Sequence, residues 1–167
     1  SKTDIPGVCY FEPAHTYSLP IYPDQKIFIP PLLSMMNYCY EKGFTHIHGA
    51  TPGPLGLCAL AMARIMGLPF CTTYHTAIAQ FAGYLTGDAS ISDLVWRYTV
   101  WFYEQSDIVF SPSQASTEEL VEKGISQDKI VRMPRGVDAH RFGPERRGDY
   151  ELPEGTRLLY VGRVSKE

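Results

Sequence analysis

The sequence predicts an α/β domain, a doubly wound parallel sheet wrapped by helices. Three observations carry this. Short β-prone runs alternate with helix-patterned runs at intervals of roughly twenty to thirty residues, a rhythm that suits strand–helix–strand crossovers. The chain has 167 residues, 44% of them hydrophobic and 20% charged, which is enough for a real core and far from the composition of disorder. Finally, the run Pro69–Thr76 ends in an imidazole and a hydroxyl, as expected where a parallel strand hands its last side chains to a ligand crevice.

In chain order, Val8–Phe11 reads as a short strand, followed by a loop rich in Pro and Tyr from Glu12 to Pro31. Residues 32–42 form a helix, because Leu32, Met35, Met36, Cys39 and Tyr40 recur at three- and four-residue spacing and Gly43 supplies the stop. Phe44–His48 is a strand, Gly49–Gly56 a tight turn, and 54–66 a helix apolar on nearly every side, hence buried. Gly67 ends that helix, and the strand from Pro69 to Tyr74 follows. From Ala77 to Ser92 no simple period is visible, so this segment reads as an irregular wall beside His75. Ser90-Ile-Ser-Asp93 is a capping box for a helix to about Gln105, on which Asp93 and Arg97 are spaced to pair. Asp107–Phe110 is a strand and Ser113–Lys123 a helix capped by Gly124. Lys129–Met133 and Arg157–Val161 are the last strands, separated by a polar linker over Gly143–Gly155.

Composition narrows the function classes. A formal net charge of −3 without clustered Lys and Arg argues against nucleic acid as a partner. The four cysteines form no C-x-x-C pair and sit in apolar runs, which reads as reduced thiols. No signal peptide opens the chain and no apolar run is long enough to span a bilayer, so a cytoplasmic location is expected.

His75 is the leading catalytic candidate, with Thr76 beside it, since an imidazole at a strand end can donate to a substrate or act as acid or base. The turn Gly49–Gly56 holds three glycines and two prolines ahead of a helix, which lets backbone N–H groups approach an anion, and Gly53 is its candidate ligand contact. It matches neither nucleotide-binding glycine fingerprint. His46 and His48 alternate along one predicted strand and, with His75, suggest a metal-dependent hydrolase as an alternative, although no carboxylate accompanies them. Arg135 in Arg135-Gly-Val-Asp138 is a candidate anion contact, with Asp138 capping the turn. Arg163, after Tyr160-Val-Gly, is suited to a diphosphate. A non-catalytic α/β binding module is the second alternative.

Taken in order, His46-Ile-His-Gly-Ala-Thr-Pro-Gly-Pro-Leu-Gly56, Gly67–Thr76, Asp107–Ser113, Lys129–Asp138 with Phe142-Gly-Pro144, and Leu158–Arg163 resemble one family. It is the retaining glycosyltransferases of the GT-B fold, group 1 or family 4 type, and the YHT and PRGVD forms are similar to its lipid-modifying mannosyl- and sulfoquinovosyltransferases. The resemblance implies two Rossmann-like domains. Residues 1–144 would be most of the N-terminal acceptor domain, 145–155 a linker, and 156–167 the first strand of the C-terminal donor domain. It implies that His75 contacts the transferred sugar and that Arg163 binds the donor diphosphate. The donor would be a nucleotide sugar, the acceptor a lipid or small polar molecule, and neither metal nor other cofactor would be required. Peripheral membrane contact at the inner face is a further expectation, through Ile78, Phe81, Tyr84 and Leu85. The family's donor-side E-x7-E pair is absent and Lys166 does not stand where the family has its partner Lys, so the chain reads as a fragment inactive alone.

Overall fold

The computed structural model describes residues 5–18, 26–75, 78–146, 155–156, 158 and 160–161; within these, the side chains of Phe81, Leu85 and Arg146 are not described. The chain opens with an antiparallel pair, β1 (His15–Ser18) and β2 (Lys26–Ile29), with His15 opposite Ile29. This corrects the sequence reading, which placed a strand at 8–11 and a loop over 12–31. The reason is burial. All four residues of β1 are exposed, so the pair carries no in–out alternation for a period to reveal.

Helix α1 (Leu32–Glu41) follows as expected, and β3 (Ile47–Gly49) is shorter than its predicted run. Helix α2 (Pro54–Met66) begins with Pro54 in its first turn, where a missing N–H costs nothing, and ends at Gly67 with φ +65°. After β4 (Phe70–Thr73) come α3 (Ile78–Thr86) and α4 (Ala89–Glu104). The sequence reading left 77–92 without regular structure and started the second helix at a Ser90 capping box. Instead, Asp88 caps α4, its carboxylate accepting from the Ser90 N–H at 2.8 Å. Helix α3 is nine residues long with Gly83 inside it, so its own propensity is weak. Packing on α4 holds it: Ala79 is buried, Ser92 Oγ donates to the Ala79 carbonyl at 3.1 Å, and Gly83 leaves just enough room for Ser92. Asp93 and Arg97 form no ion pair among the described residues. The chain continues through β5 (Ile108–Ser111), α5 (Gln114–Glu122), a single 3-10 turn and β6 (Ile130–Arg132). The predicted strand 157–161 falls partly outside the described residues, and its described members Leu158, Tyr160 and Val161 are exposed.

Strands β3 to β6 form one fully parallel sheet in the order β3-β4-β5-β6. Strands that advance in one direction through right-handed crossovers must carry their helices on one face. The register agrees. Ile47, Gly49, Phe70, Thr72, Val109 and Ser111 share a face and are buried. On that face Phe70 meets Phe102 of α4 edge-on at 5.9 Å, Gly49 approaches Gly56 of α2, and Ser111 accepts from Thr117 of α5 at 3.1 Å. Among the described residues the crossover helices therefore lie on one face of the parallel sheet. The opposite face presents His48, Cys71, Ile108, Phe110 and Val131, of which His48 and Val131 are exposed.

Polar clamps fix the strand starts. Asp107 receives the Phe70 N–H on its carboxylate and gives its own N–H to the Phe70 carbonyl, both at 2.8 Å. Thr72 and Ser106 pair at 2.9 Å inside the core. Burial is therefore satisfied at each polar group the sheet encloses, and among the described residues no buried side-chain N or O lacks a partner.

Candidate active site

The sheet pairing of β4 continues one residue past the strand, where the Tyr74 N–H donates to the Phe110 carbonyl at 2.9 Å. His75 is the next residue, so it leaves the sheet at the C-terminal edge and is exposed. The same edge receives β6, whose pairing ends with Met133 N–H on the Ser111 carbonyl at 2.8 Å. Pro134 has no N–H to continue the ladder, and Arg135 follows it. The two residues meet: Arg135 Nη2 lies 3.0 Å from His75 Nδ1. Two candidates sixty positions apart in sequence are therefore brought together by the ends of two parallel strands.

A second imidazole lies in the same region. His48 of β3 places Nε2 2.8 Å from Thr73 Oγ1 and stacks on Phe110. Partial burial, and then the proximity of the His75 imidazole, lower its proton affinity below that of an ordinary imidazole. Thr73 was not singled out by the sequence reading. Its signal is its place in the strand-end run Thr72-Thr73-Tyr74-His75.

His46 does not join this group. It precedes β3, is exposed, and its Nδ1 is 2.9 Å from its neighbour Thr45 Oγ1. The three-histidine metal centre of the hydrolase alternative is not assembled: among the described residues no three His, Cys, Asp or Glu side chains are grouped to hold an ion.

The glycines of the turn divide by role. A Cβ on Gly49 would meet the Phe70 ring at 3.0 Å, and one on Gly56 would meet the Thr51 carbonyl oxygen at 1.8 Å. Both are required by packing. Gly53 caps α2, and a Cβ added there would meet nothing nearer than Thr51 Oγ1 at 3.9 Å, so space beside it is open to a ligand. Asp138 accepts from the His140 and Arg141 N–H groups at 3.0 and 3.1 Å, which is the turn-capping role expected of it. Thr76 and Arg163 lie outside the described residues. Of the apolar residues at 78–85, Tyr84 is exposed and Ile78 half-buried. An apolar hollow of about 470 Å³ opens between the N-terminal segment, β2 and α1, lined by Tyr10, Phe11, Phe28, Met35 and Leu55. Leu55 is in the first turn of α2, two residues from Gly53.

Residues 5–141 match the model of the Glycosyltransferase Family 4 domain. The chain belongs to glycosyltransferase family 4. Its fold is accordingly that of the Rossmann-like N-terminal domain of a GT-B enzyme. Over 126 residues this family 4 chain is 31% identical to a GDP-mannose-dependent alpha-mannosyltransferase of Mycobacterium tuberculosis, covering 72% of the chain and 32% of that relative. A protein of the same description from Corynebacterium glutamicum is 30% identical over 82% of the chain and 34% of its own length. Sulfoquinovosyl transferase SQD2 of Arabidopsis thaliana is 26% identical over 72% of the chain and 25% of its own length. The chain thus spans between a quarter and about a third of the relatives it matches. Among the described residues no helix is long and apolar enough to cross a membrane.

Proposed function

We propose that this chain is the acceptor-side domain of a retaining glycosyltransferase that moves a sugar from a nucleotide-sugar donor to a lipid or small polar acceptor. The observation that carries the reading is His75, exposed just past the end of β4 inside the family 4 region and bonded to Arg135. Residues 1–144 would form the acceptor domain, 145–155 a linker and 156–167 the opening of a donor domain. Arg163 there would face the diphosphate, while Gly53 and Thr76 would contact substrate on the acceptor side. Relatives named for GDP-mannose support a nucleotide sugar as donor. A relative named alpha-monoglucosyldiacylglycerol synthase, from Streptococcus pneumoniae, and the apolar hollow beside Leu55 support the lipid arm. Tyr84 on the exposed side of α3 fits contact with a membrane surface from the cytoplasmic side.

In such a transfer, positive charge develops on the sugar ring and negative charge on the departing diphosphate. His75 would hold a sugar hydroxyl, cationic side chains would neutralise the diphosphate without a metal, and domain closure would exclude water. A chain that is only this domain would not transfer sugar by itself. The test uses the longer protein with radiolabelled nucleotide sugars. His75→Ala should lower kcat at least about tenfold, the worth of one transition-state hydrogen bond, with an unchanged folded spectrum. Chelation by EDTA should leave the rate unaltered. Unchanged turnover in the His75→Ala protein would remove the residue from the active site, and loss of activity in EDTA would require a metal.

A further inference from the structure

The contact between Arg135 and His75 has a chemical direction. A guanidinium carries only donors, so the nitrogen it meets at 3.0 Å must present a lone pair. In a neutral imidazole one nitrogen accepts and the other carries the proton. With Nδ1 occupied as the acceptor, the proton belongs on Nε2. No other hydrogen bond to the His75 ring, and no carboxylate bonded to Arg135, is present among the described residues.

The fold explains why an arginine does this. His75 is one residue past the last sheet bond of β4, and Arg135 is two past that of β6. Strand β5 lies between them, so the two chain ends are separated by two inter-strand spacings, roughly 10 Å. Past Ser111, β5 runs through Pro112 into Ser113, the cap of α5, and so turns away from the sheet at this level. The long side chain of Arg135 spans that space to meet His75.

We propose that Arg135 is a positioning residue that holds His75 as its Nε2–H tautomer, so that the ring offers its ligand a hydrogen-bond donor and not a base. This rests on the proposed role of His75 toward the sugar, yet it is separable from it, because the tautomer is a property of the unliganded protein. It has a mechanistic consequence. A ring held in this state cannot take a proton from an acceptor hydroxyl through Nε2, whereas it can donate to a hydroxyl or phosphate oxygen.

The test is long-range ¹H–¹⁵N NMR of the 167-residue chain at mildly alkaline pH, with the His75 signals assigned by their loss in His75→Gln. In the wild type, Nδ1 should resonate as an unprotonated nitrogen and Nε2 as a protonated one, essentially as a single form. Arg135→Ala should relax the ring to a mixture, and Arg135→Lys should restore the Nε2–H form. Arg135→Glu, whose carboxylate accepts where the guanidinium donated, should turn the majority to Nδ1–H. Backbone amide spectra matching the wild type verify the fold of each variant. A wild-type ring that is mainly Nδ1–H, or ring nitrogens that do not respond to Arg135→Glu, would overturn the proposal. Absence of sugar transfer by the longer protein would overturn the proposed function and leave this spectroscopic result standing.

Discussion

The ring of His48 lies parallel to Phe110, within 1° and at 5.8 Å between centroids, while its Nε2 is 2.8 Å from Thr73 Oγ1. Stack and hydroxyl together hold an imidazole on the open face of the sheet, next to the strand end that carries His75. Partial burial is the main reason its proton affinity is lowered, with the neighbouring His75 imidazole second. The unfolded chain therefore takes up a proton at His48 before the folded one does. The resulting stability is present above the ordinary imidazole value of about 6.5 and is lost as pH falls from there through the lower folded value. We expect the urea midpoint of the wild type to drop between about pH 7 and pH 5, and the drop to be smaller in His48→Gln. Parallel pH profiles for the two proteins would show that His48 titrates alike in both states.

Gly56 and Gly53 stand three residues apart and should respond oppositely to the same methyl group. At 56 the new Cβ would sit 1.8 Å from the Thr51 carbonyl oxygen and 3.1 Å from the Phe102 ring. Neither the turn backbone nor the buried ring has room to yield, so Gly56→Ala should destabilise by about 1–3 kcal/mol despite the better helix propensity of Ala. Gly53→Ala meets open space and loses only a favourable capping residue, a cost below about 1 kcal/mol. Thermal melts of the two variants decide this, and equal losses would count against the assignment of Gly56 to packing.

Glu104 ties the end of α4 to the start of β6. Its carboxylate accepts from the Ser126 N–H at 2.6 Å and from Lys129 Nζ at 3.0 Å, and Lys129 also reaches the Glu104 carbonyl at 2.5 Å. These donors, the Ser126 N–H foremost, hold the carboxyl below the usual carboxylate range. A folded-state value depressed in this way stabilises above the unfolded value of about 4.3 and is lost as pH falls through the folded one. Glu104→Gln should cost about 1–2 kcal/mol at neutral pH, and the gap to wild type should close under more acidic conditions, below about pH 4. A difference that persists unchanged in acid would point to shape instead of charge.

The parallel sheet, its three crossover segments and the placement of His75 at a strand end were legible because each rests on a local pattern. Helix α2 is bounded by Pro54 and Gly67, and β4 is a β-prone run that ends just before His75. What escaped were elements defined by their surroundings. The β1–β2 pair has no buried face of its own, and α3 is a weak helix made stable by the Ser92 side of α4. The meeting of His75 with Arg135 escaped as well, since each was a separate candidate on its own segment. Only the shared edge at which β4 and β6 both end converts a separation of sixty positions into one hydrogen bond. Likewise, three glycines in one turn read as a ligand loop until Phe70 and Thr51 claim two of them.

The wall beside His75 is tethered by one carboxylate. Glu119 of α5 accepts from the Tyr74 hydroxyl at 3.3 Å and from Gln80 Nε2 in the first turn of α3. It therefore joins the residue preceding His75 to the helix that follows it. Burial, and then the negative charge of Glu119, raise the Tyr74 hydroxyl well above the ordinary phenol value, so it stays protonated and remains a donor at any physiological pH. Because α3 is short and interrupted by Gly83, its amides should open locally before the sheet does. Glu119→Ala removes both acceptors and should speed amide hydrogen exchange over 78–86 while leaving β5 and α2 protected. Tyr74→Phe, which removes one of the two bonds, should produce a smaller change in the same segment. Were exchange in α3 to quicken no more than in β5, the tether would be a general stabiliser of the domain, and α3 would be held to it by Ser92 and Ala79 alone.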